Sequence, residues 1–312
     1  MMLKKNVYEQ IRDNNRKIWW LVFLFPISLI GFVGIFFGLA KWLFVPDEPS
    51  SLLSDFLSVV PWLTLLCLVL TLASVACGDK MMLSFAHATP CKKNNKDYAK
   101  IYRAVENVSL AAGLPMPKVY LIEDESLNAF ATGFAPKTAS IALTTGLIAQ
   151  LEPLELQAVI AHEMAHIKNR DIRLNMYIIT GIGVIGLVGE IILRTYGRSR
   201  GRSGKKSGIE VALLLTAFLF LLFRYFIAPF IHMAVSRNQE FQADATGSYF
   251  TRNPLALASA LQKISKDPRV EVLDSSEQMS AACIYNPLKK VGSLLDTHPP
   301  VEDRINRLQA MS

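Results

Sequence analysis

Four cysteines in 312 residues, at Cys67, Cys77, Cys91 and Cys283, are too few and too scattered for a disulfide framework, and none forms a CxxC pair. They read as unpaired thiols of a reducing compartment. Charge is scarce too. Only 19% of the residues are charged against 51% hydrophobic, with mean hydropathy +0.29, which excludes an ordinary soluble protein and points to membrane segments. The net charge of +7 would suit a nucleic-acid partner, but there is no basic helix with interleaved aromatics, so nucleic acid is excluded. There is no internal repeat, and the nearest thing to low complexity is a short Arg/Gly/Ser/Lys stretch at 198–207.

The missing charge is concentrated in runs. Residues 18–40 carry none, which is long enough to cross a bilayer, with Trp19, Trp20 and Trp42 near the two ends. The run is longer than a signal-peptide core and has no small-residue cleavage site, so it reads as a retained anchor. Residues 56–78 are a second such run. Lys4, Lys5, Arg12, Arg16 and Lys17 precede the pair, and Lys80, Lys92, Lys93 and Lys96 follow it. The loop between holds Asp47, Glu48 and Asp55. Basic outer flanks around an acidic loop place the N-terminus and everything after residue 79 in the cytoplasm.

Against this background stands His162-Glu163-Met164-Ala165-His166, an HExxH in a helical run that is apolar on most sides. Imidazoles four apart on a helix point the same way, one turn above the other, and can grip one metal ion. Glu163 then sits where it can take a proton from a water that the metal activates. HExxH alone recurs by chance. Here the surrounding apolar residues bury the His and Glu side chains, and buried polar groups need partners. Pro153, with Glu152 and Glu155 around it, marks the helix start.

An open catalytic zinc site needs a third protein ligand. The best candidate is Glu240 in Ser236-Arg237-Asn238-Gln239-Glu240-Phe241-Gln242-Ala243-Asp244. Glu240 and Asp244 share a helical face, so Glu240 can ligate while Asp244 accepts a hydrogen bond from the outer nitrogen of a ligating His. An ordinary acidic helix face is the alternative, and the HExxH weighs against it. Asp171 and Arg237 read as an ion pair between two helices or as plain surface charge.

These motifs, together with Thr297-His298-Pro299-Pro300 and Arg304, resemble the HtpX-type integral-membrane zinc metallopeptidases, relatives of the CaaX-type prenyl proteases. The resemblance runs over roughly the whole chain. It implies one Zn2+ per chain held by His162, His166 and Glu240, with Glu163 as general base and Asp244 behind the ligands. It places His298 and Arg304 near the active site, the His helping to hold the oxyanion. A His before two prolines reads equally well as a turn residue. The resemblance also implies a substrate-binding edge strand beside the HExxH helix. The candidate is Asn128, Ala129, Phe130, Ala131, Thr132 and Gly133. Main-chain pairing of that kind reads no side chains and tolerates many sequences.

The expected fold is α+β and mainly α: a membrane-anchored, zincin-like catalytic domain with a small β-sheet, the HExxH helix and transmembrane helices. Residues 94–112 form an amphipathic helix ending at Gly113, Lys118–Glu123 a strand, and Asn128–Thr132 with Ala139–Thr144 a strand pair. The segments are a cytoplasmic stretch 1–17, a transmembrane helix 18–45, an external loop 46–55, a transmembrane helix 56–79, a first catalytic part 80–174, a hydrophobic hairpin 175–235 and a second catalytic part 236–312. The hairpin is constrained. Its uncharged cores, 176–189 and 211–223, reach only about 20 Å against a bilayer core of about 30 Å. Its ends must return to one metal, so it crosses twice or not at all. The basic loop between its arms disfavours crossing and the resemblance favours membrane insertion.

The expected activity is zinc-dependent endoproteolysis of unfolded or misfolded membrane proteins, in the cell's inner or plasma membrane, with the catalytic domain cytoplasmic. The lipid bilayer is the other partner, and nothing in the sequence sets an oligomeric state. A selective processing protease of prenyl-protease type and a catalytically idle membrane scaffold are the alternatives. A membrane metal transporter is disfavoured by the lack of polar groups in the first two runs.

Overall fold

The computed structural model describes residues 76–92, 98–177, 239–266 and 299–312 in full, the backbone of 228–238, and scattered helical positions elsewhere. The chain divides into two units. One comprises Met1–Asn15, Cys77–Met176 and Ile231–Ser312, the other Arg16–Ala76 and Tyr177–Phe230. Among the described residues no helix is long and apolar enough to cross a membrane. The helices expected at 18–45 and 56–79 and the hairpin at 175–235 fall mainly outside those residues.

The first unit is built on a mixed sheet of four strands in the order β1-β2-β4-β3, with β1 Thr89–Pro90, β2 Lys118–Ile122, β3 Ala129–Thr132 and β4 Ser140–Thr144. β4 is buried along its whole length and pairs parallel with β2, Val119 opposite Ile141 and Leu121 opposite Leu143. β3 turns back antiparallel on β4, Ala129 opposite Leu143 and Thr132 opposite Ser140, and so forms the sheet's edge. Gly133, at φ +125, starts the reversal between them, and a short 3-10 turn at Pro136–Thr138 completes it. β1 was not legible in the sequence. It is two residues long, too short for any alternation to register.

Helix α1, Ala99–Ala112, ends where the sequence predicts, with Gly113 in the left-handed cap. Helix α2, Thr145–Gln150, follows β4 directly and was not anticipated. Thr144 ends the strand and caps the helix, its hydroxyl accepting from the Leu147 N–H. Helix α3, Pro153–Asn169, carries the HExxH. Pro153 opens it, and Glu152 and Glu155 form a reciprocal capping box. Twelve of its seventeen residues are buried, so it is a central helix and not an amphipathic one. The other helices are α4, Ala228–Thr251, α5, Pro254–Lys266, and α6, Val301–Gln309.

One continuous core joins these elements. Ile101, Val105 and Val108 of α1, Ile141 and Leu143 of β4, Val159, Ile160 and Met164 of α3, Leu257, Leu261 and Ile264 of α5 and Leu308 of α6 all belong to it. Burial of a side chain of that size contributes about 1.5–3 kcal/mol, so the HExxH helix is held mostly by its apolar neighbours. A polar tie adds to this. Glu155 on α3 accepts from Lys263 Nζ at 2.7 Å and from the Ser259 hydroxyl at 2.6 Å, both on α5.

Burial alone raises the Glu155 pKa, but the bonds from Lys263, Ser259 and the Glu152 N–H outweigh it and hold the carboxyl below its ordinary value. A lowered folded pKa contributes stability above the unfolded carboxylate pKa, and that contribution is lost as pH falls through the folded value. Because Lys263 is 40% exposed the pair is partly screened, and Glu155→Gln is expected to cost about 1–2 kcal/mol at neutral pH. Thermal unfolding of wild type and variant should converge between about pH 5 and pH 3, because only the wild type has this carboxylate to protonate. A gap that stays constant over that range would refute the linkage.

Candidate active site

Helix α3 is buried on most sides, and its His162 and Glu163 are shut off from solvent while His166 keeps a small exposed edge. His162 and Glu163 are 0% and 2% exposed. The helical spacing stacks the two imidazoles, ring centroids 4.7 Å apart and nearly perpendicular, with their Nε2 atoms 3.2 Å from each other. Helix α4 brings in the acids. Glu240 Oε2 lies 3.6 Å from His162 Nε2, and Oε1 lies 3.6 Å from His166 Nε2. Ligand atoms of His162, His166 and Glu240 all fall within 4.8 Å of one another.

Each imidazole is held from behind. His162 Nδ1 is 3.0 Å from Asp244 Oδ1, one helical turn beyond Glu240. His166 Nδ1 is 3.0 Å from Asp171 Oδ2. Asp171 is therefore not plain surface charge. It is 2% exposed and faces His166, and the Arg237 side chain lies outside the described residues. Arg170 explains how it gets there. At φ 62 this residue is left-handed, uncommon for a side chain of its size, and its N–H caps α3 on the carbonyls of His166 and Ile167. The chain reverses at that point and the next residue meets the ring it has just passed. An acid directly after the cap of a ligand-bearing helix was the available signal.

A carboxylate only accepts hydrogen bonds, so Asp244 and Asp171 both call for the Nδ1 proton. Each Nε2 is then a bare lone pair. Two lone pairs 3.2 Å apart, beside two oxygens of Glu240, repel one another unless a cation sits among them. The field says the same of a proton. Burial pushes the His166 pKa down, but the bond to Asp171 and the charges of Glu240, Asp171 and Glu163 lift it to about 9. A site that attracts a proton against the cost of burial will attract a metal cation, and two imidazoles with one carboxylate suit zinc.

Glu163, next to His162 on α3, is buried within the field of the same groups. Burial raises its pKa, offset in part by the two imidazoles and by a backbone hydrogen bond from Ala131 of β3. The edge strand thus reaches the candidate base directly. Within the predicted segment Asn128 is buried and its side-chain oxygen accepts from the Ala129 N–H at 2.9 Å. Ala129, Phe130 and Thr132 are buried too, and Gly133 lies just beyond the strand. Arg304, on α6, is 1% exposed and reaches Asp244 and Glu240. His298 lies outside the described residues.

The two helices can supply one site only because they approach closely at Gly247. A Cβ there would fall 2.9 Å from the His162 backbone nitrogen and 3.0 Å from the Ala161 carbonyl. Glycine inside a helix costs about 1 kcal/mol relative to alanine, and the contact with α3 accounts for its presence. Gly247→Ala is expected to part α3 from α4 and so move His162 away from Glu240, weakening metal binding by about 10-fold or more on the scale of displaced ligand supports. Competition with a chromophoric chelator measures this. An unchanged dissociation constant would show that the helix spacing does not set the site.

Comparison with known proteins follows this geometry. A family model, Peptidase family M48, matches residues 95–312. Proteins named Protease HtpX homolog are similar over the full length. That of Thermoanaerobacter pseudethanolicus is 36% identical over 100% of both chains, and that of Caldanaerobacter subterraneus subsp. tengcongensis is the same in identity and coverage. That of Listeria monocytogenes serotype 4a is 35% identical over 98% of this chain and 100% of its own. Among solved structures, a crystal structure of S. mikatae Ste24p matches with a TM-score of 0.48 and 18% identity, over 97% of this chain and 66% of that one.

Proposed function

The chain belongs to peptidase family M48 and is a metallopeptidase, and from that premise we propose a membrane-bound, zinc-dependent endopeptidase that degrades unfolded or misfolded membrane proteins. The observation that carries the reading is the convergence of His162, His166 and Glu240 beside a buried Glu163. Those three residues would hold the zinc. When bound, the ion supplies Lewis acidity to a water and to the scissile carbonyl.

The chain's own residues do the rest. Glu163 accepts the proton of the attacking water and passes it to the leaving amine. Its raised pKa brings it nearer the working range of a base that must also act as an acid. Asp244 and Asp171 fix both imidazoles in the tautomer that turns Nε2 inward. The segment Asn128–Gly133 pairs with an extended substrate backbone, a reading supported by the place of β3 at the sheet edge and its bond to Glu163. Recognition through main-chain groups fits a substrate class defined by being unfolded. His298 would assist at the oxyanion.

Membrane insertion is supported by the uncharged runs and by the few residues described within them. Trp19, Trp20, Ile27, Leu65, Val69 and Leu72 stand at helical positions and are each 50–64% exposed, which suits lipid better than water. The proposed organisation keeps helices at 18–45 and 56–79 and an inserted hairpin at 175–235, with the catalytic parts 80–174 and 236–312 on the cytoplasmic side of the inner or plasma membrane.

The test is cleavage of an unfolded protein by detergent-purified wild type, with zinc removed and restored, beside Glu163→Gln. Cleavage should vanish without zinc and return with it. The variant should bind zinc normally and lose about 10²–10⁴-fold in turnover. A variant that cleaves at the wild-type rate would sink the mechanism. A zinc-loaded, folded wild type that cleaves only one defined peptide would shift the function to selective processing.

A further inference from the structure

The sheet of the first unit carries opposite charge at its two ends. At one end β2 runs out of Ile122 into Glu123 and Glu125, both exposed. At the other end stand Lys118, which opens β2, and Lys137, in the 3-10 turn before β4, again both exposed. The backbone brings the two lysines to one place. The Lys118 N–H donates to the Ala139 carbonyl at 3.0 Å, two residues beyond Lys137, and Lys118 is paired with Ser140. From Gly113 to Ile122 and from Ala129 to Gln150 the sequence holds no acid.

The basic end is also the end from which the chain leaves this unit. β3 finishes there, Thr132 opposite Ser140, and the buried Thr132 hydroxyl donates to Met176 Sδ at 3.1 Å. Met176 is the last residue of its stretch of the unit, and it lies in the helical residues 171–177 that lead into the run proposed to enter the bilayer. Arg173, almost one turn before it, adds a half-buried cation. A second tie fixes the neighbouring loop. Lys168, in the last turn of α3, donates to the Ala112 carbonyl at 2.6 Å at the end of α1. The loop from there to Lys118 carries Met116, which is 39% exposed, and Phe134 and Pro136 of the turn are half-buried.

This rim therefore offers cations and apolar side chains together, with no acid among them, beside the point where the chain heads for the membrane. A layer of acidic lipid headgroups matches both halves of that surface, phosphate charge for the lysines and an apolar boundary for Met116 and Phe134. We propose that residues 114–118 and the turn 133–139 rest on the membrane surface, with Lys118 and Lys137 on the phosphates of acidic phospholipids. The proposal rests on the membrane insertion proposed above. It sets the Thr132 end of the β3 edge at the headgroup layer, so a substrate segment emerging from the bilayer meets that strand first.

The test places full-length, detergent-purified protein in bilayer discs of phosphatidylcholine, with or without phosphatidylglycerol, and reads the acylation rate of each lysine by mass spectrometry. Lys118 and Lys137 are expected to react about fivefold or more slowly when phosphatidylglycerol is present, the scale of one lysine at an acidic surface, and to recover at high salt. Lys100 near the start of α1 and Lys266 at the end of α5, next to the Lys263–Glu155 pair, are exposed a helix length away from Lys168 and should react alike in both discs. The double variant Lys118→Gln, Lys137→Gln should cleave a soluble unfolded protein in detergent as the wild type does, and should lose the rise in melting temperature that phosphatidylglycerol gives the wild type. Equal labelling of Lys118 and Lys137 in the two discs overturns the proposal, and so does a double variant that keeps the rise. Slowing that Lys100 and Lys266 share overturns it as a general effect of a negative surface. Slowing that inorganic phosphate reproduces in phosphatidylcholine discs overturns it in favour of a free-anion site. Protection that grows with protein concentration in detergent overturns it in favour of a contact between copies of the chain. A chain that does not enter the discs at all overturns the membrane reading beneath it.

Discussion

The first unit is organised around one electrostatic problem, the presence of two imidazole lone pairs and two carboxylates in a largely buried place. His162 and Glu163 are buried, and Glu240 and Asp244 nearly so. Left to themselves these groups repel across distances of 3.2–3.6 Å in a medium of low dielectric. A cation among them turns the repulsion into attraction, and the protein must hold the arrangement until the cation arrives. It does so with a helix that cannot tilt, because its other faces are locked in the apolar core with α1, β4 and α5.

The charged groups around the imidazoles are supplied from three stretches far apart in the chain, and each has its own local device. Glu240 and Asp244 come one turn apart on α4, brought within reach by the absence of a side chain at Gly247. Asp171 comes from the strained reversal at Arg170. Arg304 comes from the C-terminal helix and neutralises part of the charge the others accumulate. Burial would raise the Asp244 pKa, but Arg304 and His162 together hold it below the carboxylate range, so it stays an acceptor for the His162 proton. The buried polar groups form a closed set in which most members have an opposite charge or a donor at hand, the condition under which such a network is stable.

Much of this was legible in the sequence, and the reasons are particular. The HExxH helix could be read because its spacing, its Pro153 start and its apolar filling agree with one another. The strand pair at β3 and β4 could be read because a Gly-Phe-Ala-Pro turn lies between two β-rich segments. Asp171 could not, since its meaning depends on a backbone reversal at an arginine, a residue that rarely takes positive φ. Gly247 gave no sign either. A glycine inside a helical pattern has the same appearance whether it is a weak spot or a contact point, and only the neighbouring helix decides. Arg304 was placed near the site by resemblance, but its double attachment to Asp244 and Glu240 depends on how α6 lies against α4.

On the proposed function, the edge strand would tie the recognition of a substrate to the chemistry performed on it. A strand that only bound peptide could lie anywhere along the sheet rim, and a base that only took protons could be anchored by a side chain. Here the Ala131 backbone, in the middle of β3, hydrogen-bonds the Glu163 carboxylate itself. A peptide paired with β3, as proposed, would therefore be laid down with its backbone in a fixed register to Glu163. The strand is fixed in turn by its ladder to the fully buried β4, with Ala131 opposite Ile141. Under that proposal, preference for an extended backbone and placement of the scissile bond would follow from a single set of main-chain hydrogen bonds.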